Sequence, residues 1–179
     1  MLSLPDSDFN RDPRRQQELR ARPLCDAIYA EVFGCDPAKI MRYDGHAFFD
    51  RQLGIDVGLR LSNGMALRGQ EKALSFEFAH FNSLTVEYYQ NQYAREPGDW
   101  FNIGAQFYFC GYLNQTMTAF VSYALVDWPL LALASAHGEV RWDEKPNRDG
   151  HARASFRYIN FDLIPAYCLI ARSFSSIPF

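Results

Sequence analysis

Gly54-Ile55-Asp56-Val57-Gly58-Leu59-Arg60-Leu61-Ser62-Asn63-Gly64-Met65-Ala66-Leu67-Arg68-Gly69-Gln70-Glu71-Lys72 is the stretch whose reading decides the fold. Two alternating runs flank Ser-Asn-Gly, the pattern of a β-hairpin. A two-residue turn at Asn63-Gly64 would pair Leu59 with Arg68 and Val57 with Gln70, mixing apolar and polar side chains on one face. A three-residue loop, Ser62-Asn63-Gly64, shifts the pairing by one and puts Gly64 in the left-handed position of a bulged turn. Leu61 then faces Met65, Leu59 faces Leu67 and Val57 faces Gly69. Only this register segregates the faces. One carries Ile55, Val57, Leu59, Leu61, Met65 and Leu67, and the other collects Asp56, Arg60, Arg68, Gln70 and Lys72.

The polar face has a chemical consequence. Asp56 sits opposite Gln70, with Lys72 one step along the same face, while Glu71 points to the apolar side. A carboxylate and a neutral oxygen are ligands suited to a hard divalent cation, Mg²⁺ or Mn²⁺. A lysine beside them can orient the attacking water or stabilise charge developing on a phosphate. Metal-assisted phosphodiester hydrolysis is the reaction class this set suggests. Lys72 is one of three lysines against fifteen arginines, which singles it out further.

Gly54-Ile55-Asp56, the hairpin and Gln70-Glu71-Lys72, with a helix upstream, resemble the PD-(D/E)xK nuclease superfamily and its restriction-endonuclease-like fold. The likeness is loose over residues 14–130 and specific over 54–72. Asp56 and Lys72 match the family's aspartate and its acid-x-Lys. Gln70 replaces the usual acid, a variant the family contains, and Ile55 stands where proline is common. The resemblance implies that Asp56 and Gln70 ligate metal and that Lys72 acts on the water. It also implies a further glutamate from the first helix, for which Glu31 is the first choice and Glu18 the second. Arg60 and Arg68 share the site face and are expected to hold phosphate. Glu87 is an accessory candidate, and Arg148, Arg153 and Arg157 would extend the contact with DNA.

Outward from the hairpin, Asp12-Pro13 is a helix start, with Asp as N-cap and Pro at the first helical position. That helix is expected to reach Phe33 and stop at Gly34, with Pro23 splitting or kinking it. Leu24, Ala27, Ile28 and Val32 would form its apolar stripe. Residues 36–53 mix loop with a short strand or helix. Leu84 to Tyr89 reads as a strand, and Asp99 as the cap of a helix from Trp100 to about Tyr112, with Gln106 on its face. Thr118 to Val126 is a strand and Trp128 to Ala136 a short helix. Residues 143–150 are a polar loop, Ala154 to Asp162 is a late strand, and Pro165 to Arg172 is the last regular piece. The expected architecture is a single α/β (α+β) domain over 12–174, a mixed central β-sheet flanked by helices. A loose arm (1–11) precedes it and a short tail (175–179) follows.

Composition sets the outer limits. With 48% hydrophobic and 16% aromatic residues over 179 positions, the chain can bury one sizeable core, which excludes long disorder and coiled coil. A net charge of −3 gives no broad basic coat, so nucleic acid would have to bind in a local groove. Cys25, Cys35, Cys110 and Cys168 show no Cys-x-x-Cys spacing and read as buried thiols of a cytoplasmic protein. No membrane span or secretory leader is expected. The four histidines lack zinc spacing, and no nucleotide-binding or hydrolase-elbow motif occurs. The leading expectation is therefore a Mg²⁺- or Mn²⁺-dependent nuclease acting on DNA, and since many enzymes of the family it resembles dimerise to cut both strands, the resemblance allows a homodimer. Its rivals are a non-catalytic binding or assembly subunit of the same fold and an unrelated sheet protein.

Overall fold

The computed structural model of the protein describes residues 13–46, 48–146 and 153–174. The expected arm, the expected tail and Arg148 lie outside them. In chain order the elements are α1 (Pro13–Phe33), β1 (Met41–Arg42), α2 (Phe49–Leu53), β2 (Val57–Arg60), β3 (Ala66–Leu74), β4 (Ser83–Asn91) and β5 (Glu96–Pro97). They continue as β6 (Phe107–Leu113), β7 (Phe120–Asp127), α3 (Trp128–Ala136), β8 (Asp143–Pro146), β9 (Ser155–Asn160) and β10 (Leu169–Phe174). A six-stranded sheet runs β1-β2-β3-β6-β7-β10, and a four-stranded sheet runs β5-β4-β9-β8. All pairings are antiparallel except β3 with β6, so the larger sheet is mixed, as expected.

The hairpin takes the segregating register. Val57 pairs with Gly69 and Leu59 with Leu67. The Leu61 N–H donates to Met65 O at 2.8 Å, closing the three-residue loop, and Gly64 has φ of +87°. Val57 and Leu59 are fully buried under α1, while Met65, at the tip, is 57% exposed and lies outside the core.

Helix α1 covers one face of the larger sheet. Its buried line is Ala21, Cys25 and Tyr29, four residues apart, so Ile28 and Val32 flank the contact and Ala27 is exposed. The helix passes through Pro23 without a break. Pro23 is exposed, so the carbonyl it leaves without a helical partner faces water, where its cost is smallest. Tyr29 packs edge-on against Phe107 and Phe109.

The opposite face is covered by the four-stranded sheet together with α3. Leu84, Val86 and Ile159 from that sheet and Trp128, Leu131 and Ala134 from α3 meet Tyr108, Cys110, Tyr112, Ala124 and Val126. Helical cover on this side is thus only partial, since two strand excursions do most of the work. Strand β4 follows the hairpin, as expected, and belongs to the crossover between the parallel strands β3 and β6.

The largest departure from expectation is β6, which is a central strand and no part of a helix from 100 to 112. All seven of its residues are buried, because it is paired on both edges and covered on both faces. An apolar run buried all round has no period with which to tell strand from helix, and only a single turn of 3₁₀ helix forms at Asp99–Phe101. Likewise Asp143–Pro146, expected as loop, pairs as β8 with β9. Helix α3 matches its expected span, with the Asp127 carboxylate accepting from the Leu130 N–H at 2.9 Å. All four cysteines are buried and unpaired. Among the described residues, no helix is long and apolar enough to cross a membrane.

Candidate functional site

The site is built at the open end of the hairpin. Helix α2 ends at Gly54, whose φ of +53° turns the chain into β2. A side chain at that position would stand 2.6 Å from Gln70 Oε1, so glycine is what lets Gln70 lie against the backbone here. Asp56 is fixed from two sides. Its N–H donates to Gly69 O and its carbonyl accepts from the Tyr43 N–H, each at 2.9 Å. One carboxylate oxygen, Oδ2, accepts from the Glu71 N–H at 2.8 Å. The register that pairs Val57 with Gly69 sets Asp56 across from Gln70.

Electrostatics make Asp56 unusual. Burial, helped by the charges of Glu71, Asp50 and Asp99, pushes its carboxyl up to about 7, against the Glu71 N–H bond that favours the charged form. Gln70 Oε1 is buried and has no hydrogen-bond partner. Lys72 is half-buried on the same face, and its ammonium lies 4.8 Å from the centre of the Phe156 ring on β9. Its charge opposes the burial that raises both Asp99 and Glu87. Lys72 therefore stands between the Asp56–Gln70 pair and the second sheet.

The other expected residues divide. Glu87, on β4, is half-buried and joins the charge group through Lys72 and Asp99. Arg68 lies at the edge, with its guanidinium 5.2 Å from the Phe49 ring centre. Arg60 stands away from the site, in a shallow pocket at the hairpin tip that Asp36 and Lys39 also line. Glu31 is not brought to the site. It is exposed on α1, across the sheet from Gln70 and Lys72, and its charge acts on Tyr123 of β7. Glu18 is likewise on α1, paired with Arg15. The acidic group of α1 that does reach the hairpin is Asp26, and it does so through Arg42, which bonds both Asp26 and Glu71. Gln106 precedes β6; it accepts from the Arg68 N–H at 2.7 Å through its side chain and donates to Arg68 O at 2.8 Å through its backbone.

Asp99 and Asp50 are the members of the charge group that the sequence reading missed. Asp99 looked like a helix cap, and no spacing ties residue 99 to residue 56. The tie is three-dimensional: the Gly104 N–H donates to Leu53 O at 2.7 Å, and Ile103 stands 3.6 Å from where a Gly54 side chain would begin.

The donor set fits a hard cation in one respect: an amide oxygen, buried and unbonded, lies beside a carboxylate with one oxygen tied to backbone. Among the described residues, no three His, Cys, Asp or Glu side chains gather as a ligand set. A cation here would therefore rest on Asp56, Gln70 and water. No protein-family model, curated protein or solved structure matches the chain.

Proposed function

We propose that the protein is a divalent-metal-dependent nuclease that hydrolyses phosphodiester bonds, with DNA as its substrate. The observation that carries this reading is the unpartnered Gln70 Oε1 beside Asp56, with Lys72 on the same sheet face. Buried polar atoms are almost always bonded, so an open one calls for an explanation, and among the described residues Gln70 Oε1 is the one that stands on the same face as Asp56 and Lys72. Asp56 and Gln70 would hold Mg²⁺ or Mn²⁺, which when bound supplies positive charge and an acidified water. Lys72 would stabilise charge developing on the phosphate or position the attacking water. Lys72 is close enough to Asp99 and Glu87 for its charge to act on both carboxyls. Burial of Asp56 raises the value of any cation that relieves it.

The test is cleavage of labelled DNA and RNA with Mg²⁺, Mn²⁺ or chelator, for the wild type and Lys72→Ala. Metal-dependent cleavage that Lys72→Ala abolishes supports the reading. Binding of nucleic acid without cleavage under any metal replaces it with the binding-subunit reading, and neither binding nor cleavage removes both.

A further inference from the structure

Two aromatic groups flank the site, one on each of the segments that bring Asp50 and Asp99 to it. On the α2 side, Phe49 stacks on Tyr43 with ring centres 4.7 Å apart, Arg68 covers Phe49, and Phe48 meets Phe49 edge-on at 5.4 Å. On the other side, Phe101 lies within about 33° of the planes of Tyr88 and Tyr89, at 5.0 and 5.9 Å. Arg157 lies 3.7 Å from the Tyr88 ring centre. Each group ends in a half-exposed phenylalanine, Phe48 at 51% and Phe101 at 50%. A lone exposed Phe is ordinary. Two of them, each backed by further rings and an arginine, on segments joined by the Gly104–Leu53 bond, form a pair of platforms on the two segments that carry Asp50 and Asp99.

From this we infer that the protein takes single-stranded nucleic acid, with one unstacked base against Phe48 and another against Phe101, and with Arg68 and Arg157 meeting the backbone phosphates. The inference rests on the nuclease reading for the identity of the site between the platforms. Ring faces are available to bases only when those bases are out of a duplex, and stacking of this kind tolerates any base. Arg68 lies over the Phe49 ring, and Arg157 lies over the Tyr88 ring with its Nε 4.0 Å from Glu144, so phosphate would compete with Glu144 for Arg157. Asp50, Asp99 and Glu87 make the floor between the platforms acidic, so a strand approaches only where the platforms and a bound cation offset that charge.

The test is fluorescence anisotropy with a short labelled oligo-dT and a hairpin duplex of matched length, in Ca²⁺ and in chelator, for the wild type, Phe48→Ala, Phe101→Ala and Phe101→Trp. The wild type should bind the single strand more tightly than the duplex. Each alanine should weaken single-strand binding by roughly fivefold or more, and tryptophan should restore it. Equal or tighter binding of the duplex, alanine variants that bind like the wild type, or no binding of either probe overturns the inference. Cleavage of the same samples in Mg²⁺ separates the two readings. Phenylalanine-dependent binding with no cleavage sinks the nuclease and leaves the platforms standing. Metal-dependent cleavage indifferent to both phenylalanines does the reverse.

Discussion

Strand β3 presents two polar surfaces that solve the same problem in opposite ways. On the α1 face, Glu71 is clamped by Arg42, which also holds Asp26, and the Tyr29 hydroxyl is turned toward the same carboxylate. Charge is paired with charge inside the chain, although among the described residues Glu71 Oε1 and the Tyr29 hydroxyl themselves make no hydrogen bond. On the other face, one Asp56 carboxylate oxygen takes a backbone N–H, and among the described residues the Gln70 amide oxygen takes nothing. The first arrangement holds the hairpin to the helix. The second keeps a buried carboxyl raised to about 7 beside an open acceptor.

The comparison breaks most easily at the clamp. Arg42→Met should destabilise the fold by about 3–5 kcal/mol, because Glu71 and Asp26 are then left as partly buried, unpaired carboxylates. Urea unfolding reads it, and a loss under about 1 kcal/mol would mean the clamp is ornamental. On the open face, Lys72→Ala should leave stability within about 1 kcal/mol while cleavage falls by roughly a hundredfold, about 3 kcal/mol of barrier. Equal loss of both would make Lys72 structural.

Asp56 gives a pH signature. Its folded value of about 7 lies above that of an unfolded carboxyl, so the folded chain holds this proton more tightly. The stability this gives is full below about pH 4 and is lost as pH rises through 7. Asp56→Asn should therefore gain about 1–3 kcal/mol over the wild type near pH 8 and almost nothing near pH 4. Denaturation at the two pH values checks the difference, and an equal gain at both would place Asp56 in ordinary solvent. Gln70→Glu, which adds the missing charge at nearly constant shape, should tighten Mg²⁺ binding by roughly tenfold in calorimetry, and Gln70→Ala should weaken it. The smallest effect belongs to Glu31→Ala, expected to leave metal binding and stability within about 0.5 kcal/mol of the wild type. A larger effect on metal would bring the first helix back into the site.

The hairpin, and with it the Asp56–Gln70–Lys72 face, was legible because alternation along two short strands allows only one register that separates oil from charge. Helix α3 was legible because Asp127 and Pro129 mark its start. Strand β6 was not, since burial on both faces erases the period that would identify it. Glu31 was misplaced because the α1 contact line is Ala21–Cys25–Tyr29, and small or polar-tipped residues do not stand out against Leu24 and Ile28. Asp99 was invisible for another reason: its nearness to Asp56 depends on a loop packing against Gly54, which no linear spacing encodes.

Between β3 and its parallel neighbour β6 the chain leaves the larger sheet, and between β7 and β10 it leaves again, so β4 and β9 meet far from their own beginnings. Phe156, which covers Lys72, is therefore delivered by the second excursion, long after the hairpin has been made. The carboxylate and the amide can meet locally and early, but the ammonium gains its aromatic cover only when distant segments close on each other, the slow kind of contact in folding. The aromatic cover of Lys72 is thus a long-range contact, which joins residue 72 to residue 156.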